Sequence, residues 1–368
     1  MKIIFLKEND DNRYALTPAS LQRILECSKE IYIEKCFSKD FEDKDFEEIG
    51  AKTFSDKKQM LKDADIIVKI SKLENNDIAL LKKGAIFIGS FNPFEEKQFI
   101  ELMQKQNVSS ISMNMIPRTT LAQKMDVLSS QSNLAGYSAV ILAASKSNKI
   151  FPMLTTAAGT ISPAVVFIIG SGVAGLQAIA TAKRLGAKVF AFDVRKEVKE
   201  QIESLGAKFV EINVGDVKAS EGYAKELKQE QLERQKQEMI KILKKSDIVI
   251  TTAQVFGRKA PLVIDKSMIK NMKKGSIIID LAIETGGNVE GAEIDKEILI
   301  NDVLIIGPKN LPSNLYKDAS QMYSMNVFYF LESFWKNEGF KFDINDKILK
   351  NCLITYDGKI VNEKIKQG

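Results

Sequence analysis

Residues 165–195 read VVFIIGSGVAGLQAIATAKRLGAKVFAFDVR, a stretch that leaves the backbone few choices. The run VVFII is a buried-strand pattern that halts at Gly170. LQAIATAKRLG then follows with helical spacing, and KVFAFD is a second strand pattern closing on Asp193. A strand, a turn, a helix and a further strand in so short a span specify a βαβ unit with parallel strands. The spacing Gly170, Gly172, Gly175 is G-x-G-x-x-G, and each glycine has its own task. Gly170 permits the tight turn, Gly172 lets the backbone approach a pyrophosphate, and Gly175 allows close packing of helix on strand. The helix N-terminus presents free amides and partial positive charge to phosphates.

Asp193 lies about 20 residues beyond the turn, where a carboxylate accepts the ribose hydroxyls of NAD and repels a 2′-phosphate. Arg195 leaves three readings open: it favours a phosphate, stacks on adenine, or is solvated. The apolar run from Val165 to Ala182 approaches membrane-spanning length. Gly170, Ser171, Gly172, Gly175 and Gln177 interrupt it, so strand, turn and helix fit better than a transmembrane segment.

Grammar of the same kind recurs along the 368 residues, which are too many for one ordinary core. KIIFLKE opens as a strand, and in ALTPASLQRILECS Thr17 caps a helix with Pro18 at its first position. DIIVKI (65–70) and KKGAIFIGSF (82–91) in the first half match DIVITTA (247–253) and KKGSIIIDLA (273–282) in the second. Two readings stand: an internal repeat, or the shared grammar of any two α/β domains. In both places the glycine of Lys-Lys-Gly is expected to cap a helix C-terminus.

The expected fold is therefore α/β, with two Rossmann-like domains of mostly parallel sheet and a cleft between them as the default ligand site. LAGYSAVILAASKSNKI (134–150) is expected to be a linking helix, and 318–337 a helix that crosses back. That divides the chain into residues 1–133 plus about 318–368, and a nucleotide-binding domain of 134–317. Trp335 and the neighbouring phenylalanines read as core or subunit-interface anchors.

A formal charge of +5, spread without an arginine-rich aromatic stripe, argues against nucleic acid. Cys27, Cys36 and Cys352 lack metal-ligand spacing, and their odd number argues against a disulfide framework. The opening MKIIFLKENDD carries no signal pattern, so the cytoplasm is expected. Residues 214–239 are polar and rich in Lys and Glu: 227–239 read as a solvated helix, and Glu221, Gly222 and Tyr223 suit a closing lid. Asp280, Glu284, Gly286 and Gly287 follow the strand SIIID and fit a structural turn or a direct contact equally.

The chain contains no histidine. A second constellation, IPRTTLAQKMDVLSSQSNLAGY (116–137), gathers Arg118, Gln123, Asp126, Ser129 and Ser130. These side chains can fix a nicotinamide carboxamide and its ribose, and none is a good proton shuttle near neutral pH. Spacing alone favours a capped surface helix.

That stretch, together with MLTTAAGTISPAVVFIIGSGVAGLQAIATAKRLGA, KEQIESLGAKF, EGYAKEL, DIVITTA, GSIIIDLAIETGGNVEG and LITYDGKIV, resembles the alanine dehydrogenase and NAD(P) transhydrogenase family. Within it the similarity is to the separate NAD-binding alpha-1 subunits of the proton-translocating transhydrogenase, over nearly the whole chain. The opening KENDDNRYALTP is shared with alanine dehydrogenase.

The resemblance implies NAD(H) bound by this chain and NADP(H) on a partner subunit. It also implies a homodimer, NADP-binding and membrane-spanning partners, and a peripheral place on the inner face of the bacterial inner membrane. It makes 118–129 the loop around the nicotinamide, including Thr119, Thr120, Lys124 and Met125. Arg118, Asp126 and Ser129 would orient the ring, and Gln123 would reach the partner nucleotide's nicotinamide ribose. Val173 would lie on the glycine turn, with Asp193, Val194 and Arg195 around the adenosine ribose. Gly222 and Tyr223 would fall in a closing loop followed by Gln235, and Gln254 would be a further contact. Leucine is usual at 254, and Leu121, Lys124 and Pro308 stand where the family has arginine, serine and histidine.

Oxidising an alcohol or amine needs a base as well as a hydride acceptor. Passing hydride between two nicotinamides releases no such proton. The protein need only bring the reacting carbons to roughly 3–3.5 Å, leaving the chemistry to the cofactors. Where alanine dehydrogenase has a catalytic histidine and lysine, this chain has Asn92 and Ser71, with Lys69 and Lys72 nearby. The expected activity is hydride transfer from NADH to NADP⁺, with Gln123, Asp126 and Arg118 as the catalytic group. A self-contained amino-acid dehydrogenase is the alternative.

Overall fold

The computed structural model describes residues 1–212, 229–337 and 339–366. The chain forms two compact units, Met1–Gln131 with Ser313–Gly368, and Ser132–Pro312. Glu221, Gly222 and Tyr223 lie outside the described residues.

In the first unit, strands β1 (Ile3–Phe5), β2 (Ile31–Glu34), β3 (Lys52–Phe54), β4 (Ile66–Val68), β5 (Ile86–Gly89) and β6 (Ser109–Ser112) pair in parallel in the order β3-β2-β1-β4-β5-β6. The strand Leu353–Tyr356 joins β6 antiparallel and continues the sheet. Ile3, Ile4, Phe5, Ile66, Ile67, Val68, Phe87 and Ile88 are wholly buried. Their unbroken apolar runs are what a parallel sheet covered on both faces requires. Thr17 caps the helix Pro18–Cys27, its hydroxyl accepting from the Ser20 amide.

The second unit opens with the exposed hairpin β7 (Leu154–Thr156) and β8 (Gly159–Ile161). Its main sheet comprises β9 (Val165–Ile169), β10 (Lys188–Phe192), β11 (Lys208–Phe209), β12 (Ile248–Thr251), β13 (Ile277–Asp280), β14 (Glu297–Ile300) and β15 (Val303–Ile306). The order is β11-β10-β9-β12-β13-β15-β14, parallel except for β14 at the edge. Six parallel strands thus follow one winding in each unit, β1 standing to β4 as β9 stands to β12. DIIVKI and DIVITTA supply the fourth strand of each sheet, and the two Lys-Lys-Gly segments lead into the fifth.

The expectation that those glycines cap helices is corrected. The short helices Asn75–Ile78 and Lys266–Ile269 end several residues earlier. Gly84 and Gly275 instead sit in turns at φ +82° and +75°. The Gly84 amide donates to the Asn107 carbonyl at 2.8 Å, and that of Gly275 to the Asp302 carbonyl at 2.7 Å. Asn107 and Asp302 are themselves left-handed, and they lie just before β6 and β15. Each glycine therefore ties the approach to the fifth strand to the approach to the sixth.

The helix expected over 134–150 runs from Val127 to Lys146, so it begins within the 116–137 stretch. The returning helix is Tyr316–Phe334, whose Phe328, Phe330 and Phe334 are buried in the core of the first unit. No helix among the described residues is long and apolar enough to cross a membrane.

Candidate nucleotide-binding site

In the second unit strand order reverses between β9 and β12, and the glycine turn leaves β9 there. Ligands of open α/β sheets bind at such a point, beyond the carboxyl ends of the strands. Gly170 has φ +91°, and a side chain at Gly175 would meet the Gly170 carbonyl oxygen at 1.9 Å. Both positions require glycine for the fold. Gly172 does not: its φ is −74°, and a Cβ there would find nothing within 4 Å. Beside it the Ser171 hydroxyl is buried without a hydrogen-bond partner. Gly172 is also the N-cap of the helix Val173–Arg184 and supplies no side-chain cap. Open space, an orphaned hydroxyl and the unpaired amides of a first turn fit a pyrophosphate. Lys183 and Arg184 balance the opposite end of the helix.

Asp193 directly follows β10 and is buried. Its Oδ2 accepts the Ser171 amide at 2.7 Å, which fixes the carboxylate against the glycine turn. Burial opposes its ionisation, but hydrogen bonds from Arg195 and Ser171 outweigh that and hold the carboxyl below the usual range. Val194 is 57% exposed beside it, an apolar surface next to the carboxylate.

The end of β12 secures the turn from the other side. Thr252 Oγ1 donates to the Gly170 carbonyl at 2.9 Å, and Thr251 Oγ1 to Asp280 Oδ1 at 3.0 Å. The Ala253 amide donates to Asn288 Oδ1 at 2.9 Å. Asp280 is fully buried and accepts the amides of Ala282, Asn288 and Val289. Burial pushes its carboxyl upward, and these donors oppose the rise. Asp280 thus holds a structural turn. Thr252 and Asn288 were not singled out in the sequence, and Ser171 only as an interruption of the apolar run. The only signals were threonines ending an apolar strand and an asparagine after Gly-Gly.

Gln254 is exposed, and its side-chain amide donates to the Leu281 carbonyl at 3.2 Å. Gln235 is half-buried on the helix Gln229–Leu243.

In the first unit, buried Ala122 and Met125 hold the turn Gln123–Met125. Arg118, Thr119, Thr120, Leu121, Gln123 and Lys124 are exposed around it. Asp126 is buried and heads the helix Val127–Lys146, its Oδ1 accepting the Ser129 amide at 2.9 Å and its Oδ2 the Ser129 hydroxyl at 2.6 Å. The structure thus brings Asp126 and Ser129 together as a helix cap, the reading that spacing alone favoured. Asn326 braces the segment by donating to the Lys124 carbonyl at 2.7 Å and accepting from the Ser130 hydroxyl at 2.8 Å. The Lys124 ammonium lies 5.1 Å from the Tyr329 ring centre.

At the first unit's own reversal point, between β1 and β4, there is no glycine turn. Glu8 occupies it, accepting the amides of Ile70 and Ser71 and the Ser71 hydroxyl. Lys69 Nζ stands 4.0 Å away, and both side chains are nearly inaccessible. Burial raises the Glu8 carboxyl despite Lys69 and Ser71. Ser71 is thereby committed to a carboxylate, Lys72 pairs with Glu96 at 2.6 Å, and Asn92 accepts from the Phe94 amide.

Residues 6–135 match the family described as alanine dehydrogenase/PNT, N-terminal domain, and 139–363 match its C-terminal domain. The chain is 43% identical to the first part of NAD(P) transhydrogenase subunit alpha of Rickettsia prowazekii, over 100% of this chain and 98% of that one. The crystal structure of transhydrogenase from Sinorhizobium meliloti superposes with a TM-score of 0.88 at 37% identity, covering 98% of this chain and 100% of that one. An L-alanine dehydrogenase structure shares the fold at a TM-score of 0.80 and 20% identity, over 100% and 98% of the two chains. The chain belongs to the alanine dehydrogenase/PNT family, on the side of the NAD(P) transhydrogenase alpha subunits.

Proposed function

We propose that this chain is the NAD(H)-binding subunit of a proton-translocating NAD(P) transhydrogenase. It works as a homodimer at the cytoplasmic face of the inner membrane, with an NADP-binding subunit and membrane-spanning subunits as partners. The observation that carries the reading is Gly172, a glycine for which the protein itself has no steric need, beside a buried Ser171 hydroxyl without a partner. The second unit holds the dinucleotide: the first turn of the helix Val173–Arg184 receives the pyrophosphate, and Asp193 with Val194 and Arg195 receives the adenosine ribose. When bound, the dihydronicotinamide supplies the hydride. Arg118, Asp126 and Ser129 orient the ring, with Thr119, Thr120, Lys124 and Met125 shaping the loop, and Gln123 reaches toward the partner's nucleotide. Gln254, Gln235, Gly222 and Tyr223 complete the contacts.

The chain has no histidine to serve as the base of an amino-acid oxidation, and Ser71, where alanine dehydrogenase has a lysine, is engaged by Glu8; hydride exchange between nicotinamides needs no such base. The test is reconstitution. The purified chain should bind NADH with little turnover of its own, and hydride transfer to NADP⁺ should appear when the NADP-binding subunit is added. Rapid NADH formation from L-alanine and NAD⁺ by the chain alone would overturn the reading. Gln123→Asn should reduce transfer in the reconstituted system by about tenfold or more while NADH affinity changes little. Equal losses in both would remove Gln123 from that role.

A further inference from the structure

The turn that carries Gln123 is curved by its own hydrogen bonds, from the Met125 amide to the Ala122 carbonyl at 2.9 Å and from the Asp126 amide to the Gln123 carbonyl at 3.4 Å. Burial of Ala122 and Met125 keeps it on the first unit, but apolar contact has no preferred direction. Direction comes from Asn326. Its Nδ2 donates to the Lys124 carbonyl at 2.7 Å, and its Oδ1 accepts the Ser130 hydroxyl at 2.8 Å. One amide group therefore grips the chain on both sides of Asp126, and one residue beyond Gln123.

The mount is rigid and the turn is not packed in. Asn326 is buried on the helix Tyr316–Phe334, with Val327 and Phe328 beside it wholly inaccessible. Gln131 adds a second tie to that helix, its side-chain amide donating to the Ala319 carbonyl at 3.1 Å. Gln123 and Lys124, by contrast, are exposed. The two ends of an asparagine amide are unlike, one a donor and one an acceptor, and both are used here. Leucine of similar size offers neither, and an ionised aspartate sets a negative oxygen against the Lys124 carbonyl.

We propose that Asn326 is a positioning residue for hydride transfer. It sets the orientation of Gln123 and Asp126, and through them the alignment of the reacting rings. Such alignment is sensitive to displacements of about 1 Å, so a slack turn slows transfer while the second unit still holds the dinucleotide. The proposal rests on the reading of 118–129 as the nicotinamide loop, and it names the group that keeps that loop in register.

The experiment reconstitutes the full chain with the NADP-binding subunit and compares Asn326→Leu and Asn326→Asp with the parent. NADH dissociation constants and transfer rates are measured from about pH 6 to about pH 9. Asn326→Leu should slow transfer about tenfold or more throughout, with NADH affinity within about threefold of the parent. Asn326→Asp should show a similar loss at the alkaline end and regain about threefold or more, relative to the parent, at the acid end. A protonated carboxyl recovers the donor for the Lys124 carbonyl, and burial raises the pH at which it protonates. The proposal is overturned if Asn326→Leu transfers at the parental rate, or if its NADH affinity falls as far as its rate. A rate of Asn326→Asp that keeps a constant ratio to the parent across the range overturns it too. Should Asn326→Leu fail to fold, the acid recovery of Asn326→Asp decides alone. A reconstituted parent that transfers no hydride removes the transhydrogenase reading and this proposal with it. One that transfers hydride while Asn326→Leu is indifferent removes the proposal alone.

Discussion

At the scale of single residues, the glycines of one turn separate what the fold needs from what a ligand needs. Gly175 is packed so closely on Gly170 that a methyl group cannot enter without moving the backbone. Gly175→Ala should cost about 1–3 kcal/mol of stability, read from denaturant unfolding. Gly172 faces open space at an ordinary φ. Gly172→Val should leave the unfolding midpoint nearly unchanged and weaken NADH binding by about tenfold or more, because its side chain takes the room meant for the pyrophosphate. A matched loss of stability and binding in both variants would show that Gly172 serves only the fold. Asp193 was readable in the sequence as a strand-end acid, but its embrace by Arg195 was not. Neighbours two residues apart can point in opposite directions, and only the turned backbone after β10 aims both at one place.

At the scale of elements, the turns and helix ends carry most of what pattern reading missed. Gly84 and Gly275 looked like helix stops because helical residues precede them, yet they hold left-handed turns between strands. Gly84→Ala should cost about 1–2 kcal/mol, since an L side chain resists that backbone even where the space around it is empty. Unaltered stability would show that the turn relaxes freely. The helix Gln229–Leu243 is tied down at Asp265, whose carboxylate meets Lys236 Nζ at 2.7 Å and the Met268 amide at 2.9 Å. Burial opposes the ionised form there, but these partners prevail and depress the Asp265 carboxyl from 3.8 to about 2. A depressed folded-state value gives stability that is present above the ordinary value and lost as pH falls toward the depressed one. Unfolding free energy should therefore decline from pH 4 toward about 2, and Asp265→Asn should flatten that decline. An unchanged slope in the variant would assign the acid loss to other carboxyls.

At the scale of the whole molecule, the two units share a strand order and differ at the reversal point. One carries a glycine turn that leaves room for phosphate. The other is closed by Glu8 and its partners. Ligand linkage should follow that difference. NADH at a hundred times its dissociation constant should stabilise the chain by about 2.7 kcal/mol if it binds only the folded form. Hydrogen exchange should then slow most at the carboxyl ends of β9, β10 and β12 and in the first turn of Val173–Arg184. Protection appearing instead around Glu8 and Ser71 would move the nucleotide to the other unit.

Much of this protein was legible before any coordinates, because the deciding signals are local. Apolar runs with turn residues between them, Thr17 before Pro18, and three glycines at fixed spacing act within a few residues of themselves. They established two α/β halves and one phosphate-ready turn. The fold alone decided what the polar groups do, because their partners come from elements adjacent only in space: Asp193 meets Ser171 22 residues away, Thr252 meets Gly170 82 away, and Ser130 meets Asn326 196 away. A hydrogen bond works at about 3 Å, and the packing of strands and helices rather than sequence distance determines which groups come that close.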